Sequence, residues 1–413
     1  MTGLRVLAVA DSDSYLKWAA WSLARLRDDG GTPAVEPVAV VVRSPLAPTP
    51  EQARAAVAGT GLTTPAVLSP GAVGRLAATH RPDVVLIAAT GPVAELVARR
   101  VLRATRSGRR PALVTGLPGM ALPATPHGTG WRRWADAFVV HGRHEADPYR
   151  AAFARHGAAP HVVLSRLPFL DAAADHAAPA GAPPSGTPSR TSPRRVPGTP
   201  HRVVVAAQAK VPATRDQRVR LLDGLARLAD DGYKITVKLR ARAGERQTHN
   251  EPHPLDVLWT AEHRRLGRSA DEVGFAVGPM SDHLTPGTAL LTVSSTAGLE
   301  SLARGLPTVF LADFGVGREQ LNEAYLGSGC LYRLDEVAAV LRAGGPTPDP
   351  AWCEDGYLHR GDDLGPAVRA LAEQARTGTL EARDAVVPWS WPRYLWSTTR
   401  SALPVALSAR LTR

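Results

Sequence analysis

The sequence predicts an α/β protein built from two doubly wound, parallel-sheet domains. Three observations lead there. Short apolar runs alternate with helically spaced stretches, the pattern of βα units joined by right-handed crossovers. The runs are apolar throughout, as in strands covered on both faces. A Pro/Ala/Ser-rich tract near the middle separates two such series.

The first series opens with a strand at Leu4–Ala10. A helix over Tyr15–Leu26 follows, with Leu16, Ala19, Ala20, Leu23 and Leu26 on one face. A strand at Val38–Val42, a helix at Glu51–Ala58, a strand at Pro82–Ala89 and a helix at Val93–Ala104 continue the alternation. Strands at Pro111–Thr115 and Ala137–His141 precede a helix starting at Glu145. From Ala172 to Pro200 the chain has no apolar periodicity and cannot bury enough surface to order itself, so it reads as a linker. The pattern restarts with a strand at His201–Ala207 and a helix at Arg215–Ala229. Strands at Lys234–Leu239, Val273–Val277 and Ala289–Val293, a helix at Thr296–Gly305 and a strand at Thr308–Ala312 follow. The expected domains are 1–171, a linker at 172–200, 201–387, and a separate tail at 388–413.

The tail carries Trp389, Trp391, Tyr394 and Trp396 with several Arg and no acid. It reads either as an interfacial segment on an anionic membrane or as a terminal helix packing back on the first domain. Among 413 residues, Lys and Arg number 49 against 38 Asp and Glu, a net charge of +11. Lys is rare and Arg abundant in a background of Ala, Gly and Pro, so much of the excess is compositional. Two cysteines, Cys330 and Cys353, exclude a disulfide scaffold and a cysteine zinc module. No run reaches the ~18 apolar residues of a membrane span. The N-terminus meets Asp11 and Asp13 too soon for a signal peptide, so a cytoplasmic location is expected.

The strongest chemical signal is the stretch from Val293 to Val309, read as strand, hydroxyl-rich turn, helix, Gly stop and strand. Ser294, Ser295 and Thr296 sit where free backbone N–H groups and the helix dipole attract an anion. Gly298 would admit a ligand closely. Glu300 would cap the helix or accept sugar hydroxyls. The same residues also suit an ordinary helix cap. In the first domain, Asp11-Ser12-Asp13-Ser14 lies at the carboxyl end of the first strand, where open α/β sheets bind ligands. Asp11 or Asp13 is the expected general base, and one of them can equally serve as a helix cap.

The Val293–Val309 segment resembles the donor-side motif of GT-B glycosyltransferases of the capsule-polysaccharide and polysialic-acid type. The opening, Val6 to Trp18, also resembles a glycosyltransferase family of high-GC bacteria associated with sialic-acid-like ulosonic acids. The resemblance spans both halves in architecture but only about three short segments in motif. It implies two Rossmann-like domains facing a cleft, with a nucleotide sugar on the C-terminal domain and the acceptor on the N-terminal one. It implies that His253-Pro254 matches a phosphate-binding His-Pro pair. Relatives place this His directly after a Lys-Leu, where Arg240 stands here, so His249 and His253 compete for the role. Lys238, Arg240 and Arg242 would add positive charge, and Lys210, after the first strand of the second domain, would touch donor phosphate. Gly116, Gly119, His127, His141 and Glu145 fit acceptor-binding loops, with His127 and Glu145 as further base candidates.

The leading expectation is thus metal-independent transfer from a CMP-linked ulosonic acid to a cell-surface glycan or lipid-linked acceptor, with no cofactor. The alternative is a UDP-sugar epimerase of the same fold or a UDP- or GDP-sugar-dependent glycosyltransferase. A nucleic-acid binder ranks third, because no recognition module accompanies the charge.

Overall fold

The structure is a computed structural model and describes residues 3–170, 199–239, 251–383 and 387–402. The chain forms two compact units: one comprises Met1–Pro168 with Asp355–Arg413, the other Phe169–Glu354.

The first unit is a seven-stranded parallel sheet in the order β3-β2-β1-β4-β5-β6-β7. Its strands are β1 (Leu4–Ala10), β2 (Val35–Val42), β3 (Val67–Leu68), β4 (Val84–Ala88), β5 (Ala112–Gly116), β6 (Ala137–Val140) and β7 (His161–Leu164). The helices between them are α1 (Asp13–Asp28), α2 (Pro50–Val57), α3 (Pro70–His80), α4 (Gly91–Ala104), α5 (Pro126–Gly130) and α6 (Ala146–Ala154). The apolar runs are explained by burial on two faces. Val6, Ala8, Val84 and Leu86 enter one core, and Leu7, Val9, Val85 and Ile87 enter the other. Strands β3 and β7 and helix α3 go beyond the sequence expectation. Helix α3 begins where Ser69 caps the Ala72 amide and Pro70 presets the first turn.

The second unit is a six-stranded parallel sheet in the order β10-β9-β8-β11-β12-β13. Its strands are β8 (Arg202–Ala206), β9 (Lys234–Lys238), β10 (Val273–Ala276), β11 (Thr288–Thr292), β12 (Thr308–Leu311) and β13 (Leu331–Tyr332). The helix Arg215–Asp230 starts with a Thr214/Gln217 capping box and buries Val219, Leu221, Leu222 and Leu225.

The expected 201–387 domain is corrected at its end. From Asp355 onward the chain folds with the first unit. The helix Leu364–Thr377 adds Leu364, Ala367, Val368 and Leu371 to the core shared with Val6 and Leu86. Each fully buried Leu or Val contributes roughly 1.5–3 kcal/mol. Charges then fix the helix. Arg369 pairs with Asp29 through two bonds of 2.8 and 2.6 Å, and Arg376 reaches the buried Asp83 at 2.7 and 3.1 Å. Burial alone would raise the Asp83 carboxyl, but Arg376, the Arg5 amide and Arg109 hold it below its ordinary value.

The tail forms the helix Trp391–Ala402, which packs on α4. Residues 403–413 lie outside the described residues, as does nearly all of the expected linker, 171–198.

Candidate functional site

Each sheet reverses its winding direction beside its first strand, between β1 and β4 and between β8 and β11. Such switch points are where open α/β sheets bind ligands. In both units a side chain just past the first strand bonds to the turn just past the fourth.

In the second unit that side chain is Gln208. Its Nε2 donates to Ser294 Oγ at 2.7 Å, and its Oε1 accepts the Ser294 amide at 2.8 Å. The turn is further organised from within. Ser295 Oγ accepts the Ala297 amide at 3.2 Å, and Thr292 Oγ1 accepts the Ser295 amide at 3.2 Å. The buried Tyr325 hydroxyl donates to the Ser295 carbonyl at 2.9 Å, while its ring stacks on Phe310 at 3.5 Å. Ser294 is buried, and Ser295 and Thr296 are half-buried.

Arg218, fully buried on the helix Arg215–Asp230, ties this switch point to the His-Pro segment. Its Nε donates to Pro212 O at 2.9 Å, and its Nη2 to Gln208 O and Ala209 O at 2.8 and 2.7 Å. Its Nη1 donates to His253 O at 3.0 Å and to the Glu251 carboxylate. All five guanidinium protons are used. One buried charge, balanced by Glu251, therefore sets the loop carrying Gln208 and Lys210 against the loop carrying His253. Lys210 is exposed, while Lys238, His253 and Pro254 are half-buried. Pro254 stands at the cap position of the helix Leu255–Glu262. Lys210, Lys238, His253 and the Ser294–Thr296 turn thus come together at the carboxyl end of the second sheet. Arg240, Arg242 and His249 lie outside the described residues.

Two expected donor contacts are corrected. A Cβ on Gly298 would stand 2.3 Å from Phe310 Cε1, so this glycine lets the helix Ala297–Ala303 seat on β12 rather than admitting a ligand. Glu300 is buried in the same helix, away from solvent. Sequence reasoning passed over Arg218. The signal was present: it occupies the apolar stripe of its helix with Leu221, Leu222 and Leu225, where a lone Arg must have buried partners.

In the first unit the switch point is closed. Asp11 is fully buried, and its Oδ2 accepts the Thr90 amide at 3.0 Å and the Thr90 hydroxyl at 2.5 Å. Burial raises its pKa from 3.8 to about 6, opposed by the Thr90 and Ser12 hydrogen bonds and by Arg132. Arg132, also buried, donates to the Tyr15 hydroxyl at 2.9 Å and to Ala89 O at 2.7 Å. A base must meet its substrate; Asp11 meets Thr90 instead. Asp13, in the first turn of α1, is half-buried.

The expected acceptor loops are corrected in the same sense. Glu145 is fully buried and receives four donors. Its Oε1 accepts the Ala121 amide and the Tyr357 hydroxyl, both at 2.7 Å. Its Oε2 accepts the amides of His141 and Gly142 at 2.8 and 3.2 Å. The His141 ring lies between the carbonyls of Ser165 and Leu117 at 2.7 and 3.0 Å, and burial lowers its pKa. Gly116 is packed so that a Cβ would stand 2.9 Å from the Trp18 ring, and Gly119 is buried. Of this set only His127 is exposed, with its ring edge-to-face with Trp389 at 4.8 Å.

Solved structures share this architecture at low identity. A UDP-N-acetylglucosamine 2-epimerase matches at a TM-score of 0.56 and 13% identity, over 94% of this chain and 100% of its own. The UDP-GlcNAc 2-epimerase of Methanocaldococcus jannaschii matches at 0.54 and 10%, over 89% and 99%. That of Neisseria meningitidis, solved bound to UDP-GlcNAc, matches at 0.53 and 10%, over 91% and 100%. With the two parallel sheets, these likenesses show a two-domain Rossmann-like GT-B fold. Among proteins of curated function, none matches the chain. A family profile described as "Putative glycosyltransferase (DUF6716)" covers residues 6–373, and the chain belongs to that glycosyltransferase family.

Proposed function

We propose that this protein transfers a sugar from a nucleotide-linked donor to an acceptor hydroxyl, holding the donor phosphate on the second unit. The observation that carries this reading is the Arg218–Gln208 framework. A buried, fully bonded arginine fixes loops that carry His253, the exposed Lys210 and, through Gln208, a hydroxyl turn. Cationic and hydroxyl groups held at a strand-end switch point suit a phosphate leaving group. Asp13 is the proposed base, with Asp11 positioning the turn beside it.

The donor we favour is a CMP-linked ulosonic acid, whose single phosphate matches a single cluster of donors. The acceptor would be a cell-surface glycan or a lipid-linked precursor, and transfer would proceed without a bound metal. The solved structures named above are UDP-N-acetylglucosamine 2-epimerases. Family membership favours transfer over epimerisation here.

A thermal-shift panel of CMP, CDP, UDP, GDP and ADP tests the reading, since a ligand of the native state raises its stability. Selective stabilisation by CMP, lost in Lys210→Ala and His253→Ala, is expected. Selective UDP or GDP stabilisation would replace the donor while keeping the transfer, and indifference to every nucleotide would overturn the reading. Conversion of a UDP-sugar without an acceptor would establish the epimerase instead. Retention of transfer in EDTA is expected.

A further inference from the structure

The C-terminal helix Trp391–Ala402 is inside out. Ser397 and Ser401, turned toward its own unit, are 8% and 1% exposed. Trp391, Leu395 and Trp396, on the opposite side, are 55%, 57% and 49% exposed. At about 100° per residue the three apolar side chains fall in one arc, and Tyr394, Ser397, Thr398 and Ser401 in the other. A surface helix ordinarily buries its apolar stripe and shows its hydroxyls; this one does the reverse. Val387, 60% exposed, extends the apolar surface just ahead of the helix.

Cations frame the patch. Arg393 is exposed, Arg400 sits over the Trp396 ring at 5.6 Å, and Arg99 of α4 lies over Tyr394 at 4.5 Å and Trp391 at 5.8 Å. One turn further along α4, Arg103 is exposed. No Asp or Glu occurs from Val387 to Ala402. Indole rings beside guanidinium groups suit the boundary between acyl chains and anionic headgroups. Twelve residues are too few to span a bilayer, and among the described residues no helix is long and apolar enough to cross one.

We propose that this face docks on an anionic lipid bilayer with the helix lying in the interfacial plane. A second copy of the chain fits less well. A two-fold contact would set each patch's arginines against their own likeness. The inference rests on the helix alone and stands apart from the assignment of the donor site.

Flotation of the full chain with phosphatidylcholine vesicles, with and without one-third phosphatidylglycerol, tests it. Binding to the anionic vesicles is expected, weakening with salt and shifting tryptophan emission to the blue. The combined Trp391→Ser, Leu395→Ser and Trp396→Ser variant alters only exposed side chains, and unchanged far-ultraviolet circular dichroism is expected. It should partition on the order of tenfold or more weakly. Arg393→Glu should reduce the preference for anionic vesicles severalfold while leaving weak neutral binding unchanged. Three outcomes would overturn the proposal: no binding by the unaltered protein, undiminished binding by the triple variant, or a dimer by light scattering that the triple variant converts to monomer.

Discussion

The two switch points use the same construction with opposite results. Asp11 to Thr90 and Gln208 to Ser294 each bridge the first and fourth strands of a sheet. In the first unit the bridge is a carboxylate, fully buried and backed by a buried Arg132–Tyr15 pair. In the second it is a neutral amide, half-buried. A polar residue at a strand end is therefore not yet a site. Asp11 is sealed among buried groups, whereas Gln208 is half-exposed in a loop that also carries the exposed Lys210, and the contrast can be tested by substitution.

The largest effect should come from Glu145, the most saturated group at the strand ends of the first unit. Glu145→Ala leaves three buried amides and the Tyr357 hydroxyl without an acceptor. A loss of roughly 4 kcal/mol or more is expected by chemical unfolding, with about half that for Glu145→Gln, which keeps one acceptor oxygen. Equal stability of Glu145→Ala and the unaltered protein would show that the carboxylate stabilises nothing.

Next comes the pH dependence of Asp11. The folded state keeps its proton up to about pH 6, whereas the unfolded chain releases it near 3.8. Between these values unfolding releases a proton, so stability falls as pH rises through the window. The full decline is roughly 3 kcal/mol. Urea melts at intervals from pH 4 to 7 should show this slope, and Asp11→Asn should flatten it. An unchanged slope in the variant would place the titration elsewhere.

The smallest effect should be at the neutral bridge. Gln208→Ala should cost about 1–2 kcal/mol, since it frees only the Ser294 amide and hydroxyl, beside space that the half-buried Gln208 vacates. It should nevertheless weaken nucleotide-induced stabilisation, because the hydroxyl turn loses its anchor. A nucleotide response equal to that of the unaltered protein would separate the bridge from the donor site.

Much of the fold was legible in the sequence because strands covered on both faces leave uniformly apolar runs such as Leu4–Ala10 and Val84–Ala88. The strand order was not, since no local signal says that β4 lies beside β1. The short edge strands β3 and β13 bury too little to leave a signature. The return of Leu364–Thr377 to the first sheet was also hidden. Its stripe shows that it packs, and only the pairing of Arg376 with Asp83, 293 residues apart, shows on what. At the candidate site, the Ser294–Thr296 turn and His253 were recognisable by type. Glu145 and His141 are equally apt for chemistry by type but are consumed by buried partners distant in sequence, such as Tyr357 and the carbonyls of Ser165 and Leu117, a distinction that only three-dimensional partners reveal. The tail's two readings proved compatible in geometry: the helix packs on α4 and still turns its tryptophans outward.

The late return of the chain to the first unit bears on how the protein is made. A ribosome delivers β1 to β7 first, yet the helix that completes the cover of one face of their sheet emerges about two hundred residues afterwards. At ~5–20 residues per second that is a delay of roughly 10–40 s, during which the surface formed by Val6, Leu86 and Val114 is packed by α1 and α2 but lacks this last helix. The second unit is contiguous in sequence and suffers no such wait. Translation speed and chaperone access across Phe169–Glu354 therefore bear on the yield of the first unit rather than the second. Any fragment ending before Leu364 will leave the stretch of that face over β4, β5 and β7 without its covering helix.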